Sequence, residues 1–96
     1  MPRRSDYEGG FIKDWNRLSE SGRYDLSRLK AVMALLIAND GPLPAELRDH
    51  ELNGKWADHR ECHVGGDYLL IYQIRGKKKD QEVIFVRTGT HAELFG

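Results

Sequence analysis

The residues able to do chemistry gather in the second half of the chain. His50, His63, Asp67, Arg87 and His91 are titratable or phosphate-binding groups near the expected ends and turns of strands. Histidine titrates near pH 6.5, so around neutrality it can accept a proton or give one. An arginine guanidinium donates two parallel hydrogen bonds to a phosphate. These are the parts needed to cut RNA without a metal. A base takes the 2′-hydroxyl proton and the oxygen attacks the adjacent phosphorus. A cation steadies the phosphoryl oxygens, and an acid protonates the departing 5′-oxygen. Each proton-transfer group is worth about 10²–10⁴ in rate. Arg87 and His91 lie roughly 13 Å apart if the chain is extended, and Gly89 between them lets it turn so that both face one phosphate. Gly65 and Gly66 likewise let His63 and Asp67 approach each other across a turn.

Each of these residues also has an ordinary structural use. Asp67 after Gly-Gly is a common turn residue, and Arg87 suits a surface ion pair. His59 and His63 alternate with Arg60, Cys62 and Val64, as on the wet face of an edge strand. Lys77-Lys78-Lys79 reads as a solvated hairpin tip, and Trp56 as core rather than a base-stacking platform. A metal-dependent hydrolase built on His50, His59, His63 and His91 lacks compact ligand spacing, since His59 and His63 would stand about 13 Å apart along a strand. The lone Cys62 cannot form an internal disulfide and reads as a small buried residue.

The elements that must position these groups fall into a helical front half and a β-rich back half. Phe11, Trp15 and Leu18 recur at helical spacing over about residues 8–21, and Ser21-Gly22 supplies a stop. Asp25 can cap a second helix running to about Asn39, with Leu26, Leu29, Met33 and Leu36 as its apolar stripe, Val32, Leu35 and Ile37 broadening it, and Gly41-Pro42 ending it. Strands are expected at 57–64, 68–74 and 83–87, the first two joined by a Gly65-Gly66 hairpin turn, with a weaker candidate at Arg3–Tyr7. The expected architecture is one α+β domain over residues 1–96. An N-terminal helix hairpin covers one face of a small, mostly antiparallel sheet and leaves the other face open for the polar set.

Composition is that of a globular protein, 40% hydrophobic and 31% charged. No run approaches the roughly 18 apolar residues of a membrane span, and the first residues lack the apolar stretch of a secretory signal, so a cytoplasmic location is expected. Fifteen Lys and Arg balance fifteen Asp and Glu, evenly along the chain. Nucleic-acid binding usually shows as a basic excess, so an RNA-binding role requires folding to collect positive charge on one face.

Four stretches carry a family likeness: Asp49-His50-Glu51-Leu52-Asn53-Gly54-Lys55-Trp56, Arg60-Glu61-Cys62-His63-Val64, Asp67-Tyr68-Leu69-Leu70-Ile71-Tyr72, and the closing Arg87-Thr88-Gly89-Thr90-His91-Ala92-Glu93-Leu94-Phe95-Gly96. The front half adds a Phe-x-x-Asp beginning (Phe11 to Asp14) and a Leu-rich second helix before Pro-Leu-Pro. Over nearly its whole length the chain resembles the YafQ branch of the RelE toxin superfamily. The resemblance implies a RelE/ParE-like fold and an antitoxin partner that wraps the toxin, operator DNA being reached only through that antitoxin. It implies cleavage of mRNA in the ribosomal decoding site, with no metal or other cofactor. By analogy His50 and Asp67, with His63, handle the 2′-hydroxyl proton, Arg87 holds the phosphate, and His91 is the general acid. Phe95 stacks on or positions a base, and Tyr68 is a second RNA-binding aromatic. Two positions depart from the family pattern: Tyr68 stands where a Trp is usual, and Glu61 where an Asp is, moving a carboxylate by about 1.5 Å. The alternatives from other classes are a toxin or repressor component of the same fold that binds a protein target without cutting RNA, and a degenerate toxin kept for binding antitoxin.

Overall fold

A computed structural model describes residues 1–96. The chain runs through β1 (Arg4–Tyr7), α1 (Gly9–Ser21), α2 (Leu26–Ala38), a two-residue β2 (His50–Glu51), β3 (Arg60–Gly65), β4 (Tyr68–Lys77), β5 (Asp80–Thr90) and a short α3 (His91–Phe95). The five strands form one sheet in the order β1-β5-β4-β3-β2. β1 pairs parallel with β5 and every other pairing is antiparallel, so the fold is α+β with a mixed sheet. None of the helices is long and apolar enough to cross a membrane.

The helices form where spacing and caps direct them. Phe11, Asp14 and Leu18 are the buried positions of α1, which stops at Gly22 in the left-handed conformation. The Asp25 carboxylate accepts from the backbone N–H groups of Ser27 and Arg28 and so begins α2. Leu29, Val32, Met33 and Leu36 are that helix's buried stripe, whereas Leu35 is exposed, so the stripe is narrower than expected. α2 ends at Asn39, whose positive φ of 54° closes the helix before Gly41-Pro42 is reached.

Both helices bury their stripes against Cys62, Val64, Tyr68, Leu70, Tyr72, Val83 and Phe85. The opposite face is not the open polar surface expected. Leu69 and Ile71 of β4 point there with Ile84 and Val86 of β5, and Leu94, Leu52, Trp56 and Phe95 cover them. The reason lies in β4: a strand apolar on both faces leaves hydrocarbon in water unless a second layer forms, at about 25 cal/mol for each Å².

Two register details aim the candidate site's side chains. The β3–β4 turn is Gly66-Asp67, one residue later than expected; Gly65 stays in β3 opposite Tyr68, with a bulge between His63 and Gly65. In β5, Arg87 lies opposite Ile71 while Phe85 lies opposite Tyr72, so Val86 is an extra residue. β4 and β5 also extend further than expected, with Lys77 pairing with Asp80 across a two-residue turn at the lysine run.

Candidate active site

Strand alternation places His63. Its neighbours Cys62 and Val64 enter the helix-side core, so His63 and Glu61 face the other way. His50 pairs with Glu61 across β2 and β3. Its Nε2 lies 3.1 Å from the Glu61 carboxylate, and its Nδ1–H donates to the Arg48 carbonyl at 2.7 Å. A carbonyl can only accept, so Nδ1 carries hydrogen and Nε2 is the nitrogen that faces the Glu61 carboxylate. Glu61 is 5% exposed, and the His50 and His63 ring centroids are 6.4 Å apart.

A second bank of groups comes off β5. Thr90 ends that strand and caps α3, its hydroxyl accepting from the Glu93 N–H while the Glu93 carboxylate accepts from the Thr90 N–H. The Thr90 contact and the nearby Arg17 hold the Glu93 carboxyl below its usual range. This capping box makes His91 the first residue of α3 and sets its ring, tilted by 42°, against Phe95 at 4.8 Å between centroids. Phe95 in turn meets Trp56 edge-on at 6.1 Å. The His91 backbone N–H donates to the Asp67 carbonyl at 3.3 Å, tying α3 to the β3–β4 turn.

Arg87 completes this bank and is held from behind. Its Nε and Nη2 donate to the two Asp14 oxygens at 2.6 and 3.1 Å, leaving Nη1 without a protein acceptor. The Asp14 contact raises the guanidinium above its ordinary value. Asp14, only 4% exposed, also accepts from the Thr88 N–H and from Arg17. Arg17 reaches on to Glu93, so α1 braces both Arg87 and α3.

The two banks face each other across β4. His63 is opposite Leu69, itself opposite Gly89; Glu61 is opposite Ile71, itself opposite Arg87. Two strand spacings, about 10 Å, separate β3 from β5. His50 lies beside His63, and Asp67 meets His91 through its backbone carbonyl alone; Arg87 stands with β5 but leans toward α1. Tyr68 departs from expectation. It points into the helix-side core against Tyr24, centroids 5.1 Å apart, and at 6% exposure offers no face to a base. The cause is parity: Tyr68 alternates with Leu69, which takes the opposite face. Burial pushes the Cys62 thiol up to about 12, which withholds the thiolate from chemistry.

This site geometry can be set beside known proteins. The family model for the bacterial toxin of type II toxin-antitoxin system, YafQ, matches residues 3–96. The chain belongs to the YafQ toxin family. It is 44% identical over 96 residues to the mRNA interferase toxin YafQ of Escherichia coli K12, covering all of this chain and 99% of that one. Its structure matches a chain of the E. coli DinJ-YafQ toxin-antitoxin complex with a TM-score of 0.84, 43% identity and full coverage of both. It also matches a metal-bound toxin from Helicobacter pylori with a TM-score of 0.81 and 40% identity, covering 99% and 100%. In this YafQ-family chain no three His, Cys, Asp or Glu side chains converge into a group that could hold a metal ion.

Around the candidate site stand residues that sequence reasoning passed over. Asp14 carried a signal: a carboxylate in line with Phe11 and Leu18 on an apolar face must find a partner inside. Thr90-His91-Ala92-Glu93 is a capping-box pattern that announces α3. Glu61 held the period-2 place of His63. Arg17 gave no local sign, because its partner Glu93 is distant in sequence.

Proposed function

We propose that this toxin is an endoribonuclease that cuts mRNA in the ribosomal decoding site, without a metal, and is silenced by a cognate antitoxin. The activity named for the E. coli relative supports the reaction class, and the solved E. coli DinJ-YafQ complex supports the antitoxin partner. The observation that carries the reading is the pair of banks across β4: His50 and His63 backed by Glu61 on one side, Arg87, His91 and Phe95 on the other.

In this reading His63 and Asp67, with His50 held behind them by Arg48 and Glu61, accept the 2′-hydroxyl proton. The 2′-oxygen bonds to phosphorus as the bond to the 5′-oxygen breaks. Arg87 steadies the phosphoryl oxygens through its free Nη1, fixed in direction by Asp14. His91 has no side-chain hydrogen bond within the protein and protonates the leaving 5′-oxygen. Phe95 stacks on a base, with Trp56 behind it.

Primer extension on mRNA from a translation system tests this. Codon-phased cuts are expected with wild type and are expected to vanish with His91→Ala, a rate loss of about 10²–10⁴, while antitoxin binding is retained. Cleavage that persists in excess chelator agrees with a metal-free step; loss on chelation refutes it. Growth arrest without any cuts would move the target from RNA to a protein.

A further inference from the structure

The sequence is neutral, but its arginines are not all committed. Of nine, Arg4, Arg17, Arg60, Arg75 and Arg87 hold carboxylates, and Arg3 donates to Gln81 and the Leu36 carbonyl. The remaining three, Arg23, Arg28 and Arg48, have no ion-pair or hydrogen-bond partner for their guanidinium groups, and all three line two adjoining clefts at one end of the sheet. One cleft, about 230 Å³, has Arg23, Arg28, Asp67 and Tyr68 in its walls. The other, about 290 Å³, has Arg28, Arg48 and His63. Arg28 and Gly65 belong to both. Two side chains of the proposed catalytic set, His63 and Asp67, therefore sit in clefts rimmed by every uncommitted arginine.

These arginines are seated by the fold. The Arg28 guanidinium lies over Gly65, where a Cβ would come within 3.1 Å of its Cζ. Arg23 stands over the Tyr24 ring at 5.9 Å, a cation–π arrangement, and Tyr24 rests on Tyr68, whose buried hydroxyl has no protein partner. Arg48 is held at a φ of 50°, uncommon for a side-chain-bearing residue, and its carbonyl is the one that orients His50. The acids nearby are Asp25, Asp67 and Glu46. Asp25 is occupied in capping α2, Asp67 belongs to the proposed catalytic set, and none of the three pairs with these arginines.

We infer that Arg23, Arg28 and Arg48 form a phosphodiester-binding rim that seats the backbone of an RNA strand beside the cleavage site. Unpaired guanidinium groups along a groove match successive phosphates, and their concentration here gives a chain of zero net charge a local handle on a polyanion. The inference rests on the nuclease reading above and adds how the strand is gripped.

The test measures anisotropy of a 2′-O-methyl RNA oligonucleotide, which lacks the attacking hydroxyl, on the purified full chain over a range of salt. The variant Arg23→Gln/Arg28→Gln/Arg48→Gln is compared with Lys77→Gln/Lys78→Gln/Lys79→Gln, which removes the same charge at the far end of β4. Thermal unfolding checks that both variants fold. The rim variant is expected to bind about tenfold or more weakly and to lower the slope of log affinity against log salt by about 2, at about 0.7 for each phosphate of a single strand that the protein no longer neutralises. The lysine variant is expected to do neither. Unchanged binding in the rim variant, or equal weakening in both, overturns the inference. The same variants on ribosomes with and without message separate the sources: weakening confined to programmed ribosomes assigns the rim to mRNA, and weakening on empty ones assigns it to ribosomal RNA. Loss of antitoxin affinity with RNA affinity intact makes the rim a protein-docking surface and refutes it. Primer extension with wild type keeps the two readings apart. A wild type that cuts nothing yet grips RNA through the rim sinks the nuclease reading and keeps the rim.

Discussion

Two arginine–aspartate pairs flank the sheet, and they are alike in chemistry but not in use. On the β5 side Arg87 grips Asp14; on the β3 side Arg60 grips Asp49 at 2.7 and 3.2 Å. Both arginine side chains are 32% exposed, so exposure does not distinguish them. In each, the aspartate contact raises the guanidinium above its ordinary value. The difference lies in what is left over. Arg60 also sends Nη1 to Glu51, and Asp49 takes a hydrogen bond from the Tyr72 hydroxyl, so that guanidinium has no nitrogen to spare. Arg87 keeps Nη1 free. An ion pair alone does not say whether a guanidinium is used up; the uncommitted donor does. Asp49 directly precedes His50, so the β3-side pair fixes a backbone, whereas the β5-side pair aims a side chain.

The largest contrast is expected in stability. Asp14 has a side chain 5% exposed, Asp49 one 24% exposed. Asp14→Ala strands Arg87, Arg17 and the Thr88 N–H together and should cost about 3 kcal/mol or more, against about 1–2 kcal/mol for Asp49→Ala. Urea unfolding of the two variants measures this, and equal losses would erase the distinction. Activity should invert the usual expectation for surface arginines. Arg87→Lys cannot keep two bonds to Asp14 and a donor for phosphate, and codon-phased cleavage should fall by about 10²-fold or more. Arg60→Lys should leave cleavage nearly unchanged. If both variants cut alike, the free Nη1 has no role.

The β3-side pair also leans on Tyr72. Tyr72→Phe removes the hydroxyl from Asp49 and should cost about 1.5 kcal/mol in denaturant, with cleavage retained; a silent substitution would make that contact ornamental. The smallest effect is alkaline and belongs to the same side. Burial pushes the Cys62 thiol from 9.0 up to about 12, and burial and Asp49 raise the Tyr72 hydroxyl. Groups that hold their protons longer when folded support the fold below pH 9, and that support is lost as pH rises through the folded value. Stability should therefore decline above pH 9, and Cys62→Ala should flatten the decline. A wild-type profile level to pH 10.5 would contradict this.

What the sequence disclosed was local. The caps at Asp25 and Gly22 and the buried periodicity of α1 and α2 follow from residues within a turn or two of each other. So do the apolar strands and the Gly-rich hairpin, although its turn lies one residue later than expected because Gly65 joins the β3 bulge. The lysine run at 77–79 suggested a loop, yet strand pairing continues to Lys77 and Asp80. Polar character does not end a ladder whose backbone bonds are still available. The second apolar layer was legible in principle, since Leu69 and Ile71 demanded cover, but its covering residues come from separate places in the chain. Least legible was the bracing of Arg87. Its partner Asp14 stands in the first helix, and only the parallel return of β1 beside β5 brings that helix near.

That return also fixes an order of events. β1 finds its partner only in β5, with Arg4 opposite Glu82, so the sheet stays incomplete until nearly everything between them has been synthesised. α3 follows β5 without a loop, so His91 takes its place later still. Pairings this far apart in sequence form slowly. His50 and His63 precede in the chain every residue of the bank across β4. A chain stopped short of β5 would therefore carry one bank without the other.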